Sequence, residues 1–311
     1  MPSTAHPTKN KKISFFLYAI FSIAYFLWYG LVVGLNVGHI LFFLMISGLV
    51  FSSHITRKLA LCFSPFFVYL MFYESLRILH DYNIFPIRNE ELYLLEKKIF
   101  GVNVDGLRMT LCEYFAEHHH LIPDIISGVF YISWVPIPIA YTLYLFFKKE
   151  RNIAFDFWIC FLIANLLGFM LYIVFPAAPP WYYFKYGAII DLHAPGEPGA
   201  LLRFDNLVRM PIYQNMYSAG SNVFGAIPSM HAAFPMMLVY YSTKRINPFL
   251  TTLFIASMFS IWFGAIYTSH HYVIDVFLGI LCATLAILIV EKLLKKAKTK
   301  DYFARAYRFM N

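Results

Sequence analysis

Long apolar stretches dominate the chain, separated either by short clusters of Lys and Arg or by two long polar connections. Runs approaching the roughly 20 apolar residues needed to cross a bilayer fall at 13–35, 37–53, 59–79, 122–147, 153–175, 227–242, 248–267 and 272–290. The pattern predicts an all-α fold, a polytopic membrane helix bundle of about eight transmembrane helices. The first run follows Lys9, Lys11 and Lys12, as the core of a signal peptide would. It exceeds the roughly 7–15 residues of such a core and no small-residue cleavage site follows, so it is expected to be a retained span.

Charge placement orients the bundle. With the N-terminus in the cytoplasm, the cytoplasmic side holds Lys9, Lys11, Lys12, Arg57, Lys58, Lys148, Lys149, Arg151, Lys244 and Arg245. The basic tail from Lys292 to Arg308 joins them, bringing this side to well over half of the 25 Lys and Arg. The positive-inside bias therefore predicts a multi-pass protein with an even number of spans and both termini cytoplasmic. The long connections 80–121 and 176–226 then fall on the non-cytoplasmic face, periplasmic or lumenal. In the first, Asn89 offers an N-cap before Glu90 and Glu91, and Leu92, Leu95 and Ile99 share one face. That predicts a helix lying on the membrane interface. The second carries Pro176, Pro179, Pro180, Pro195 and Pro198, and such loops are where membrane enzymes keep their chemistry. The expected organisation is a tail (1–12), an N-terminal hairpin (13–58), a six-helix catalytic bundle (59–290) and a basic cytoplasmic tail (291–311).

Composition excludes the soluble alternatives. Hydrophobic residues make up 60% of the chain and charged residues 14%, against about 25% charged in a soluble domain; the mean hydropathy is +0.61. The net charge of +8 would suit nucleic acid, but its placement makes it a topology signal, and no nucleic-acid partner is expected. Cys62, Cys112, Cys160 and Cys282 have no paired spacing and read as inert small hydrophobes.

Polar residues near the span ends carry the candidate chemistry. Glu74 and Arg77 lie three apart on one helical face. They read either as a mutually neutralising pair or as an anion-binding Arg77 held by Glu74. Pro228-Ser229-Met230-His231 opens the sixth run, and His270-His271-Tyr272-Val273-Ile274-Asp275 opens the eighth. On a helix His271 and Asp275 share a face. The carboxylate can then accept one ring N–H and leave the other nitrogen free to attack. Both segments start helices at the same membrane face, where free N–H groups favour a phosphate. Ser229 can cap its helix or donate to an oxyanion. His118-His119-His120 is a poor metal site because consecutive side chains diverge, and histidine chemistry of this kind calls for no metal or other cofactor. Trp134 and the Trp181-Tyr182-Tyr183 run read as interfacial belt, with the latter also placed to guide a lipid headgroup. Asn165 and Asp156 read as helix–helix or interface-level groups.

These segments resemble the type-2 phosphatidic acid phosphatase superfamily, whose signatures include Pro-Ser-x-His and a later His-x-x-x-Asp. The resemblance implies a nucleophilic His271 oriented by Asp275, with His231 protonating the leaving group. The superfamily's first signature, a Lys seven residues before Arg-Pro, is absent before the sixth run. In its place stands Phe175-Pro176-Ala177-Ala178-Pro179-Pro180-Trp181-Tyr182. This segment, Phe224-Gly225-Ala226-Ile227-Pro228-Ser229-Met230-His231 and Thr268-Ser269-His270-His271-Tyr272 are similar to the inositol phosphorylceramide synthase branch. The resemblance spans roughly 59–290 and is strongest over 175–275. It implies a phosphotransferase that moves a headgroup from a phosphatidylinositol-like donor to a ceramide-like acceptor through a phosphohistidine. The alternatives are a lipid phosphatase using water and, from another class, a transporter or scaffold with a vestigial site. Substrate contacts are expected from Arg77, Ser229, His270, Pro179, Pro180, Trp181 and Lys185. Arg77 is the first choice for the phosphate-binding cation, followed by Lys185, Arg203 and Arg209.

Overall fold

The computed structural model describes residues 7–75, 85–218, 223–244, 248–297 and 301–310. The chain divides into two compact units, Met1–Ala60 and Leu61–Asn311. In the first, α1 (Pro7–Trp28) runs into a short π-helical turn and is followed by α2 (Val37–Ser52). Asn36 begins α2 by a reciprocal cap: its side chain accepts the His39 N–H at 3.2 Å, while His39 Nδ1 accepts the Asn36 N–H at 3.2 Å, a capping box built with histidine.

Helix α3 (His54–Ser75) leads into the second unit. There follow α4 (Glu90–Phe100), the antiparallel hairpin β1 (Val102–Val104) and β2 (Leu107–Met109), α5 (Leu111–Glu117), α6 (Leu121–Tyr131) and α7 (Pro136–Phe147). Next come α8 (Arg151–Val174) and three short helices, α9 (Pro180–Tyr186), α10 (Leu202–Val208) and α11 (Ile212–Ser218). The last four are α12 (Met230–Ser242), α13 (Pro248–Tyr267), α14 (Val273–Ala297) and α15 (Asp301–Met310). Helix α12 is the centre of the unit, packed against α8, α13 and α14, with α6 behind α13. The face of α3 meets α8 through aromatic rings, with Phe66 against Trp158 at 4.4 Å and Tyr69 edge-on to Phe161 at 4.9 Å.

Every apolar run of the sequence is represented by helix, but the helices differ in reach. Four described helices, α3, α8, α13 and α14, are long and apolar enough to cross a membrane. Helices α6 and α7 meet at 51° and supply a fifth span if the bent pair counts as one. By this measure the expected count of about eight is not reached, since Tyr18–Val33 and Val37–Ser52 are shorter apolar helices. The 227–242 run yields only the 13 residues of α12. That is about 20 Å at 1.5 Å per residue, short of the roughly 30 Å of hydrocarbon. The protein is an integral membrane protein by these helices.

The two long connections are stitched together beside α12. Ala177 N–H donates to Phe224 O at 2.8 Å and Ala226 N–H to Ala177 O at 3.1 Å, while Arg88 N–H donates to Pro176 O at 2.8 Å. Three separate segments thus satisfy one another's backbone groups, as buried loops must. Helix α4 has one face against the bundle and one face open. Leu92, Tyr93 and Glu96 are buried whereas Leu95 and Ile99 are exposed, and Asn89 makes no side-chain cap, its Nδ2 donating instead to Gly187 O at 2.8 Å. Asp156 receives the hydroxyl of Tyr307 and so ties α15 to α8.

Candidate active site

The start of α12, the start of α14 and the 223–229 turn converge on one point. Ser229 N–H donates to Asp275 O at 2.9 Å, joining the two helix starts by backbone. Gly279 allows this approach, because a Cβ there would run into the Ser229 carbonyl. His231 in the first turn of α12, His271 just ahead of α14 and Asp275 in its first turn come together as a result.

His271 is held from its Nδ1 side. That nitrogen lies 3.0 Å from Ala226 O and 3.5 Å from Asp275 Oδ2. A carbonyl only accepts, so Nδ1 carries the proton and Nε2 is left with its lone pair. Asp275 is fully buried and its Oδ2 also takes the Tyr272 N–H at 2.8 Å. His271 Nε2 lies 3.4 Å from His231 Nδ1, so the second imidazole presents an N–H to the first one's lone pair. The peptide of residue 271 is pinned as well: its N–H donates to Ala265 O at 2.9 Å and its carbonyl accepts the Cys112 thiol at 3.4 Å.

Aromatic rings fix His231. Tyr131 stacks on it with centroids 4.4 Å apart and 18° between planes, and Trp134 meets it edge-on at 5.2 Å. Both rings come from the bend between α6 and α7, so the break in that span serves the site and Trp134 does more than line an interface.

These groups line a cavity of about 250 Å³, below the roughly 300–1,000 Å³ of drug-sized sites. His231, His270 and His271 share the wall with Tyr69, Tyr73, Tyr131, Trp134, Asn165, Tyr172, Pro179, Trp181 and Tyr217. Of the other expected contacts, Pro180 and Ser229 are buried but do not line the cavity. The Ser229 hydroxyl has no hydrogen-bond partner among the described residues and makes no cap. Lys185 is paired with Glu197 and half exposed. Arg203 is bound by Asp124 at 2.7 Å, and Arg209 is exposed at a φ of 55°. Arg77 lies outside the described residues, and among these no Lys or Arg lines the cavity. The 118–120 histidines diverge: His118 stacks on Tyr114 at 4.4 Å, whereas His119 Nδ1 lies 3.8 Å from Asp124.

Two groups near the site carry no sequence signature. One is the Ala226 carbonyl. The other is Glu96 of α4, whose carboxylate accepts the N–H groups of Val273 at 2.9 Å and Ile274 at 3.2 Å and so caps α14 from another element. Burial raises the Glu96 carboxyl to about 7, the two N–H groups pull the other way, and Asp275 adds to the rise.

The sequence model of the PAP2 superfamily matches residues 106–289. A phosphoinositol dihydroceramide synthase of Bacteroides thetaiotaomicron is 42% identical over 280 residues, covering 89% of this chain and 92% of that protein. The inositol phosphorylceramide synthase catalytic subunit of Saccharomyces cerevisiae is 30% identical over 200 residues, 62% of this chain and 47% of the yeast protein. The corresponding subunit of Schizosaccharomyces pombe is 29% identical over 232 residues, covering 72% and 52%. No solved structure matches the chain.

Proposed function

The chain belongs to the PAP2 superfamily, and on that premise we propose that it is a membrane phosphotransferase. It moves phosphoinositol from a phosphatidylinositol-like donor to the hydroxyl of a ceramide-like lipid. The observation that carries the reading is the bare His271 Nε2 facing the His231 N–H at 3.4 Å on the wall of the cavity. The likeness to one synthase along nearly the whole chain favours a lipid over water as acceptor.

In the first step His271 Nε2 attacks phosphorus and the bond to the diacylglycerol oxygen breaks. His231 gives its proton to that oxygen, so diacylglycerol leaves and phosphoinositol stays on His271. Asp275 and the Ala226 carbonyl steady the positive charge that develops on the ring. In the second step the acceptor hydroxyl attacks the same phosphorus and passes its proton to His231. The P–N bond breaks and both histidines return to their starting state. Arg77 is the cation assigned to the phosphate, since Lys185 and Arg203 are engaged by Glu197 and Asp124 and Arg209 is exposed and off the cavity wall. The asymmetry of Lys and Arg supports a site on the non-cytoplasmic face.

The test gives purified protein headgroup-labelled phosphatidylinositol with and without ceramide. Label in a ceramide-dependent lipid product is expected. Label released only as soluble inositol phosphate, unchanged by ceramide, would replace transfer with hydrolysis.

A further inference from the structure

His270 adjoins the nucleophile but is wired differently. Thr268 Oγ1 donates to Gly264 O at 2.6 Å, which uses its only hydrogen. The same oxygen lies 2.9 Å from His270 Nδ1, so it accepts there and Nδ1 carries the proton. Nε2 therefore holds a lone pair, and among the described residues it is buried without a protein donor. Burial, reinforced by His271, holds the ring down to about 3, so it stays neutral at any physiological pH.

That state selects the ligand. Phosphate oxygens only accept, and a bare lone pair repels them, whereas a hydroxyl can donate to it. Leaving a buried acceptor unmade costs about 1–3 kcal/mol, a cost that a donor hydroxyl brought against the ring would remove. The ring lines the cavity where the long 176–226 connection covers it. Tyr217 lies 4.7 Å away between centroids, and Gly199 stands beside the ring, where a Cβ would be in ordinary contact with His270 Cε1 at 3.4 Å. The Ala200 N–H donates to Thr268 O at 3.1 Å and the Trp181 N–H to Ser269 O at 3.0 Å, so the covering segments are fastened to the turn that carries His270.

We propose that His270 Nε2 accepts a hydrogen bond from a substrate hydroxyl and so selects a hydroxylated substrate, in the first instance a polyol headgroup under the covering loop. This rests on the phosphotransferase reading. The acceptor lipid's hydroxyl is the other source of the same chemistry.

The experiment compares wild type, His270→Leu and His270→Gln, the last of which can restore an acceptor oxygen. Phosphatidylinositol is varied at saturating ceramide, then ceramide at saturating phosphatidylinositol. His270→Leu is expected to raise KM for phosphatidylinositol about ten-fold with a smaller change in kcat, and His270→Gln to recover most of it. A rise confined to the ceramide arm would keep the hydrogen bond and assign it to the acceptor. Thr268→Val, which frees the ring to change tautomer, should raise the same KM and serves if His270→Leu does not fold. Wild-type KM values in His270→Leu, or equal losses in the Leu and Gln variants, would overturn the proposal. If wild type yields only soluble inositol phosphate, the transferase reading falls, and the phosphatidylinositol arm still tests His270 through the KM of hydrolysis.

Discussion

The backbone carbonyl of Ala226 lies closer to His271 Nδ1, at 3.0 Å, than the carboxylate of Asp275 does, at 3.5 Å. The carbonyl can only accept, so it fixes the tautomer of His271 whatever stands at position 275. Where an aspartate alone sets the tautomer of a catalytic histidine, its replacement by asparagine costs roughly 10⁴-fold. Asp275→Asn keeps an oxygen for the Tyr272 N–H and leaves the Ala226 bond in place. It should therefore lower kcat by only about 10–100-fold, through lost support for the charged ring. Transfer rates at saturating donor and acceptor check this, and a loss near 10⁴-fold would return the tautomer to Asp275.

The meeting of the two helix starts depends on a missing side chain. Gly279→Ala would push a methyl into the Ser229 carbonyl and spread α12 from α14. Overpacking of this kind costs about 1–3 kcal/mol, and here the strain falls on the joint that sets the spacing of His231 and His271. Thermal unfolding in detergent should move down, and transfer should fall further than stability alone explains.

Glu96 gives the fold a pH dependence with a definite sign. Its carboxyl stands at about 7 in the folded protein against an ordinary value of 4.5. The folded state thus holds the proton more tightly than the unfolded chain. The stability this contributes is complete below about 4.5 and is lost as pH rises through about 7. Wild type should lose thermal stability between about pH 4.5 and pH 7 relative to Glu96→Gln and run parallel to it above that range. Curves for the two proteins that are parallel within that range would contradict the assignment.

The convergence of His231, His271 and Asp275 was legible because His271 and Asp275 sit one helical turn apart and His231 follows a proline at another helix start. The segments that hold them were not. The Ala226 carbonyl belongs to no side-chain pattern. The 122–147 run reads as one straight span, whereas its bend brings Tyr131 and Trp134 onto His231. In α4, periodicity put Leu92, Leu95 and Ile99 on one apolar face but gave no role to Glu96. Its carboxylate finds two backbone N–H groups at the head of α14, a tertiary partner that no local pattern announces. Lys185 and Arg203 read as free cations until their own acids, Glu197 and Asp124, were seen beside them.

Orientation in the membrane can be read by labelling. The four native cysteines are all buried, so a membrane-impermeant thiol reagent should meet little background. In intact cells or sealed vesicles of known sidedness, His193→Cys should label from the non-cytoplasmic face and Lys244→Cys only after permeabilisation. The reverse pattern would put the active site on the cytoplasmic face.

The claim that phosphoinositol rests on His271 between donor and acceptor is tested most directly by exchange without an acceptor. Purified protein is given unlabelled phosphatidylinositol and labelled diacylglycerol, with no ceramide. If the P–O bond breaks before any acceptor arrives, labelled diacylglycerol re-enters phosphatidylinositol by reversal of the first step, and His271→Asn abolishes the exchange. Label that enters phosphatidylinositol only when ceramide is present, or exchange that survives in His271→Asn, would contradict the phosphohistidine.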